Sequence, residues 1–425
     1  MKLETAFAMD TSSIKYGPGV TREVGYEMRR LGAKRVMVVT DPKLARLEPV
    51  AVTMQSLTAE GIDAVLFDRV SVEPTDVSFK EAIRSSIEGK FDGYVGVGGG
   101  SSMDTAKAAN LYATYPADFL AYVNAPIGEG RPVPGPVRPL AAIPTTTGTG
   151  SETTGVAVFD FLEMKTKTGI AHKALRPAIG IVDPENTKTL PALVVACSGL
   201  DVLGHGLESY TALPFTKRPA PESPVLRPAY QGSNPISDVW AVRSIEMVAA
   251  NMVRAVHDAT DAEARAQMLL AATFAGVGFG NAGCHLPHGM SYPIAGGVKT
   301  FKPEGYPQHH AMVPHGMAVI MTAPAVFRFT APTDPEKHLN CARLMGADVR
   351  GAGPEDAGEL LAEAIIKLIR RINMPNGLKA LGYGPEDVDR LVAGTLPQHR
   401  VIKISPRPVA AEDLKKLFLE SMTLW

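Results

Sequence analysis

The apolar residues of this 425-residue chain change their period once, near Pro191, and that change limits the fold more than any other feature. Before it, short runs rich in β-branched residues alternate with helical patterns. Val36–Thr40, Ala64–Asp68, Tyr94–Val97, Leu140–Pro144 and Ile179–Asp183 read as strands, with helix candidates at Val20–Leu31, Val50–Glu60, Val77–Glu88 and Met103–Tyr112 between them. Most of the strand runs are continuously apolar, as a parallel sheet covered on both faces requires. The alternation predicts a doubly wound α/β domain with a parallel sheet over residues 1–190. After Pro191 apolar residues recur every three or four positions, as at Asp238–Val256, Ala262–Val277, Pro335–Met345, Glu355–Arg371 and Ala411–Met422. Residues 191–425 are therefore expected to form an all-α helical domain. Ala125–Pro139 and Pro214–Pro235, the latter with six prolines in twenty-two residues, read as ordered loops.

Charge excludes some functions. Forty-three basic side chains nearly cancel 44 acidic ones, so nothing draws nucleic acid or an anionic membrane to the chain in bulk. No run of eighteen apolar residues suits a membrane span, and the first ten residues lack a targeting pattern. Cys197, Cys284 and Cys341 are odd in number and without paired spacing, which predicts a reducing, cytoplasmic setting.

Two turns suit phosphate. In Gly96-Val97-Gly98-Gly99-Gly100-Ser101-Ser102-Met103-Asp104 a strand runs through glycines into a helix. Glycines let backbone N–H groups approach an anion, and a helix N-terminus adds positive partial charge. A plain strand-to-helix turn capped by Ser101 explains the same residues. In the second turn, Pro144–Glu152, hydroxyls beside glycines could bind ribose or phosphate, or Thr149 and Glu152 could form a capping box. Asp41, after the first strong strand, could accept from ribose hydroxyls and repel a 2′-phosphate, favouring NAD over NADP, or could simply start the turn at Pro42.

A third constellation suits a metal. Asp201 and His205 are four residues apart, on one face of a helix. Capping and solvation account for most such pairs, but half of the ten histidines, His285, His288, His309, His310 and His315, fall within about thirty residues. His288 and His315 stand out because each follows a proline and precedes Gly-Met. His285 could support His288; His309 and His310 read as solvated loop, and His172, His257, His338 and His399 as surface. One Asp and three His suit Fe2+ or Zn2+ with room for a substrate oxygen. Such a site could act as a Lewis acid in hydride transfer or activate water as a hydrolase does.

Together these residues resemble the iron-containing (group III) alcohol dehydrogenases along essentially the whole chain. The carriers are GGGS at 98–101 with Asp104 and Lys107, IPTTTGTGSE at 143–152, Lys167, GLDVLGH at 199–205 and the two Pro-His-Gly sites. The resemblance implies a dehydroquinate synthase-like fold, the iron alcohol dehydrogenase fold, and a homo-oligomer, specifically a dimer. It implies a divalent metal on Asp201, His205, His288 and His315, and NAD held through Asp41, Gly99, Gly100, Ser101, Asp104, Thr145, Thr146, Thr149 and Lys167. IKYGPGVTREVG at 14–25, VEPTD at 72–76, RPAYQGSNPISD at 227–238, GFGNAGCHLPHGMSYPI at 278–294 and GTLPQHR at 394–400 resemble one branch of that family. That branch passes hydride from a hydroxy acid, 4-hydroxybutyrate, to an oxo acid, 2-oxoglutarate, with the nicotinamide staying bound. An ordinary NAD-dependent dehydrogenase for a small alcohol is the alternative. Catalytic roles fall to His288 and Tyr292; the latter stands where many members carry a second histidine, and its phenol could join a proton relay or only wall the pocket. Acid substrates need a cationic anchor, for which Lys299, Lys302 and Arg227 are the candidates.

Overall fold

The computed structural model describes residues 2–164, 166–306, 308 and 310–425. The chain divides into two units, Asp10–Leu190 and Pro191–Trp425, and residues 2–9 belong with the second. That last assignment departs from a boundary at 190/191, and backbone pairing explains it. Glu4 N–H donates to Arg218 O at 2.9 Å, Ala220 N–H donates to Lys2 O at 2.9 Å, and the Gln231 amide brackets Ala8 at 2.8 and 2.9 Å.

In the α/β unit the elements run β1 (Ser13–Tyr16), α1 (Val24–Arg30), β2 (Arg35–Val39), α2 (Glu48–Ala59), β3 (Asp63–Phe67), α3 (Asp76–Gly89), β4 (Gly93–Gly98), α4 (Gly100–Thr114), β5 (Leu140–Pro144), β6 (Val156–Phe161), β7 (Thr166–Ala171) and β8 (Ile179–Val182). The main sheet has the order β1-β8-β5-β4-β2-β3, and every pairing in it is parallel. Successive side chains of a strand face opposite ways. Val36 and Val38 thus join Val95, Val97, Ile143 and Ile181 in one core, while Met37 and Val39 join Tyr94 and Leu140 in another. Both faces are covered, which is why these strands read as unbroken apolar runs.

Two features of this unit had no counterpart in the sequence reading. The edge strand β1 is short and largely exposed, so it lacks an apolar signature. It is fixed from the far end of β8, where the buried Asp183 carboxylate accepts from Gly19 N at 2.9 Å, Thr21 N at 3.0 Å and Thr21 Oγ1 at 2.8 Å. The antiparallel hairpin β6–β7 has its own small core, in which Phe159 and Ile170 pack with Phe79, Leu111 and Tyr112.

The order of strands has a consequence for ligands. After β2 the chain places β3 on one side and β4 on the other, so the direction of winding reverses between β2 and β4. Crevices at such a reversal, outside the carboxyl ends of the strands, are where α/β sheets bind ligands. Asp41 follows β2 and the Gly98–Ser101 turn follows β4.

The second unit is helical: α5 (Ala192–Thr211), α6 (Pro235–His257), α7 (Ala262–Ala282), α8 (Leu286–Gly296), α9 (His315–Thr330), α10 (Pro335–Leu344), α11 (Ala357–Arg371), α12 (Val388–Thr395), α13 (His399–Ile402) and α14 (Ala411–Glu420). Helix α5 is its axis, packed against α6, α7 and α9 and buried almost all round. Glycines permit that crowding. A Cβ on Gly204 would stand 2.9 Å from Val319 Cγ1, and one on Gly316 only 2.0 Å from the Cys197 carbonyl oxygen. Among the described residues no single helix is long and apolar enough to cross a membrane. The loop 214–234 is ordered by backbone bonds such as Phe215 N to Ser233 O at 3.1 Å and Gly232 N to Ala282 O at 2.9 Å.

Candidate metal centre and nucleotide turns

Three helices bring four polar side chains together in the helical unit. Asp201 and His205 lie one turn apart on α5, His288 is in the first turn of α8 and His315 is the first residue of α9. The two Pro-His-Gly-Met sites work alike: the proline sits at the start of each helix, and the glycine lets a neighbour come close. At Gly316 the neighbour is α5 at Asp201; at Gly289 it is α13, where an added Cβ would meet Ile402 Cγ2 at 3.0 Å.

One carboxylate oxygen faces all three imidazoles. Asp201 Oδ1 is 3.6 Å from His205 Nε2, 3.5 Å from His288 Nε2 and 3.7 Å from His315 Nε2. These distances are too long for good hydrogen bonds. Two ligand atoms each about 2.1 Å from a tetrahedral cation stand about 3.4 Å apart, so the spacing suits a shared ion. Asp201 Oδ1 and His288 Nε2 are also buried with no hydrogen-bond partner among the described residues. A buried carboxylate without one is costly, and a cation held between these atoms would remove the cost.

The surroundings favour a neutral His205 and an ionised Asp201. Burial pushes His205 down to about 3. Burial works against the charged form of Asp201 as well, yet His205, His315 and His288 hold its carboxyl well below the usual range. The ring of His205 stacks on Phe279 at 3.8 Å. Of the four side chains, His315 is the one open to solvent, at 24% exposure against 4–5% for the other three.

Glu208, to which the sequence reading gave no role, completes the centre. It lies three residues after His205 on the same helix and is fully buried. Its Oε1 is 2.6 Å from His288 Nδ1, and its Oε2 accepts from the backbone N–H of His285 at 2.7 Å and of His288 at 3.3 Å. One carboxylate therefore satisfies the start of α8 and fixes the ring of His288 with Nε2 turned to Asp201. With Asp201 it supplies two negative charges, matching a divalent cation on neutral imidazoles.

The donors that lie within 4.8 Å of one another form two overlapping sets among the described residues, Asp201 with His288 and His315, and His205 with Cys284 and His288. Burial pushes the Cys284 thiol up to about 11. A protonated thiol is a poor ligand, so the carboxylate set is the better one.

Other expectations fare differently. His285 meets the centre only through its backbone N–H on Glu208; its ring turns away, with Nε2 3.0 Å from Thr211 Oγ1, and burial pushes it down to about 4. His338 is not a surface residue but is buried, 2.9 Å from Thr330 Oγ1. His309 lies outside the described residues, and His310 is exposed. Tyr292 is buried beside the cluster, its ring 6.3 Å from that of His315, and its phenol oxygen accepts from Arg400 Nη2 at 2.8 Å. The three cations named as acid anchors are engaged elsewhere: Lys299 with Asp387 at 2.8 Å, Lys302 with Gln308 O at 3.0 Å and Arg227 with Glu4 at 3.0 Å.

In the α/β unit the two polar turns lie side by side at the carboxyl ends of the adjacent strands β4 and β5. A Cβ on Gly99 would meet Thr146 Cγ2 at 3.2 Å, and one on Gly100 would meet Thr149 Cγ2 at 2.6 Å. Helix α4 starts at Gly99 without a side-chain cap, so Ser101 does not cap it; Ser101 Oγ is 3.3 Å from Glu73 N instead. The Thr149–Glu152 box is also absent, since Gly150 precedes that turn and has no side-chain cap bond. Asp41 does start its turn, with Oδ1 accepting from Lys43 N and Leu44 N at 2.9 Å. Asp104 spends its carboxylate on Ser151 Oγ at 2.6 Å and Val158 N at 2.9 Å, while Lys107 reaches Ser151 Oγ at 2.5 Å and Val156 O at 2.9 Å. These two side chains brace the turns from below. Lys167 is likewise buried between Glu73 at 2.5 Å and Asp160 at 2.9 Å.

Two outcomes follow for the metal centre. Replacing Glu208 with Gln should weaken divalent-metal binding by about 10–100-fold, the usual cost of losing such an orienting partner; competition against a chelator measures it, and unaltered affinity would contradict the role given to Glu208. Burial opposes the charged form of His288, but the carboxylates of Glu208 and Asp201 hold its pKa above the ordinary value. At neutral pH the metal must then displace a proton from that ring, so binding should release about one proton and weaken as pH falls. Calorimetry in buffers of different ionisation enthalpy reads this directly, and zero proton release would refute it.

The comparisons with known proteins agree along the chain. Residues 11–184 match the iron-containing alcohol dehydrogenase family, and residues 229–422 match its C-terminal domain, described as Fe-containing alcohol dehydrogenase family, C-terminal. Mitochondrial hydroxyacid-oxoacid transhydrogenase of Rattus norvegicus is 56% identical over 422 residues, covering 99% of this chain and 90% of that protein. The Homo sapiens protein of the same name is 54% identical over the same shares. Among solved structures, 1,3-propanediol oxidoreductase superposes with a TM-score of 0.85 at 27% identity, covering 98% of this chain and 100% of the other. An archaeal halo-thermophilic alcohol dehydrogenase from a Red Sea brine pool gives 0.85 at 26%, covering 99% and 100%. The expected cytoplasmic setting is corrected by these relatives, whose names place them in mitochondria. Three free, buried cysteines do not name a compartment. In sequence, in fold and in the implied use of a divalent metal with a nicotinamide, this oxidoreductase belongs to the iron-containing alcohol dehydrogenase family.

Proposed function

We propose that the chain is a hydroxyacid-oxoacid transhydrogenase, oxidising 4-hydroxybutyrate to succinic semialdehyde while reducing 2-oxoglutarate to 2-hydroxyglutarate, with the nicotinamide retained between the two halves. The likeness to transhydrogenases over nearly the whole chain carries this reading. In it, Asp201, His205, His288 and His315 hold Fe2+, with Zn2+ the alternative. When bound, the metal supplies Lewis acidity that favours the alkoxide form of a substrate alcohol or polarises a carbonyl, and the nicotinamide takes and returns hydride.

The chain's own residues do the rest. Glu208 keeps His288 in one tautomer and one orientation. Phe279 covers one face of His205 and keeps water from it. His315, the most exposed of the four, marks the side on which substrate enters. Tyr292 is a wall of that entrance whose phenol oxygen is already accepting from Arg400, so a positioning role suits it better than a proton relay.

For the nucleotide, the backbone around Gly99, Gly100 and Ser101 and the hydroxyls of Thr145, Thr146 and Thr149 would take the pyrophosphate, and the free oxygen of Asp41 the adenosine ribose, favouring NAD. Asp104 and Lys167 act on this site through the walls they brace, because their charged groups are already paired inside the unit.

The test is turnover with no nicotinamide added. Purified protein given 4-hydroxybutyrate and 2-oxoglutarate should form succinic semialdehyde and 2-hydroxyglutarate in equal amounts and carry bound dinucleotide. A strict need for added NAD, with NADH released, would instead make it an ordinary dehydrogenase.

A further inference from the structure

Arg400 makes one side-chain hydrogen bond, to Tyr292, and its Nη1 is buried without a partner among the described residues. It lies on the short helix α13, which rests on α8 because Gly289 has no side chain to hold Val401 and Ile402 away. Its Nη2 donates to Tyr292 Oη at 2.8 Å, and its guanidinium carbon stands 4.7 Å from the centroid of the Tyr230 ring. Its Nη1 is buried and has no hydrogen-bond partner among the described residues, and no carboxylate there pairs with it. Removing an arginine from water without a counter-charge is costly, and here the Tyr292 and Tyr230 phenols and the Tyr230 ring are what offset that cost.

Its contacts lead to the metal ligands on both sides. On one, Tyr292 follows His288 by four residues on α8 and stacks near His315, the ligand that is open to solvent. On the other, Tyr230 packs edge-on against Phe279 at 6.4 Å, and Phe279 stacks on His205. The guanidinium therefore stands at the rim of the metal centre with one N–H group unused. Lys299, Lys302 and Arg227 are already engaged by Asp387, Gln308 and Glu4 respectively.

We propose that Arg400 binds the substrate's carboxylate and is the residue that selects hydroxy and oxo acids over neutral alcohols, an inference that rests on the transhydrogenase reading. Guanidinium and carboxylate pair through two parallel hydrogen bonds, which the unused Nη1 can begin. A neutral alcohol of the same length leaves that group unpaired, so discrimination comes from the penalty on the wrong substrate as well as from the bond to the right one. Tyr292 is then a positioning residue that sets the plane of the guanidinium.

The test compares Arg400→Gln, Arg400→Lys and Tyr292→Phe with the unmodified enzyme on 4-hydroxybutyrate and on 1-butanol, and measures succinate binding by calorimetry. Metal content and melting temperature of each variant report folding. Arg400→Gln should raise KM for the acid by about 10–100-fold, as loss of a charge-assisted bond does, with a like fall in the acid-to-alcohol ratio of kcat/KM and in succinate affinity. Arg400→Lys should recover part of this, and Tyr292→Phe should raise the acid KM a few-fold. Tyr292→Phe alone decides the matter if both arginine variants fail to fold. If the unmodified enzyme used the acid and the variants kept its KM and its succinate affinity, the role of Arg400 would be overturned and the transhydrogenase reading would stand. If the unmodified enzyme oxidised 1-butanol but no hydroxy acid, that reading would fail and this inference with it.

Discussion

The helical unit is organised around one buried carboxylate. Asp201 Oδ1 stands within 3.5–3.7 Å of three imidazole nitrogens and makes no hydrogen bond among the described residues. An arrangement so poor in hydrogen bonds would be expensive if nothing else were to sit there. A divalent cation held there would turn the cost into binding energy, because the folded chain has already gathered and desolvated the donors. Much of the local packing serves this end: Gly204 and Gly316 allow α9 to close on α5, and Glu208 ties the start of α8 to the same helix.

In the α/β unit, helix α4 opens from a glycine turn with no side-chain cap. Its Gly98–Ser101 turn is braced by side chains instead of being capped by them. Asp104 and Lys107 meet at Ser151, so the second turn is fastened to α4 from beneath. The pair is buried, and burial pushes Lys107 down to about 8 while Asp104 is raised. Such a pair is tolerated where it fixes a geometry, since it adds little to stability by itself.

What the sequence disclosed depended on how strongly burial marks a residue. The central strands were legible because both faces of the sheet are covered, while β1 was not, being a short edge with exposed side chains. The four clustered residues stood out because Asp201 and His205 share a helical face and His288 and His315 share an unusual Pro-His-Gly-Met setting. Glu208 had the same helical phase and could have been found by extending the face by one more turn. Arg400 had no such signal: its partners Tyr230 and Tyr292 are 170 and 108 positions away in the chain, and only folding brings them together. Lys299, Lys302 and Arg227 drew attention by nearness in sequence, which says nothing about whether a partner has already claimed a charge. The membership of residues 2–9 in the helical unit depends on backbone pairing with a proline-rich loop, for which periodicity has no signature.

The most direct test is X-ray absorption at the metal edge of the protein, as purified or reconstituted with Fe2+ or Zn2+. The account predicts a shell of nitrogen and oxygen alone, at about 2.0–2.2 Å. A sulfur scatterer at about 2.3 Å would put the ion on Cys284 with His205 and His288, and would contradict a centre built on Asp201.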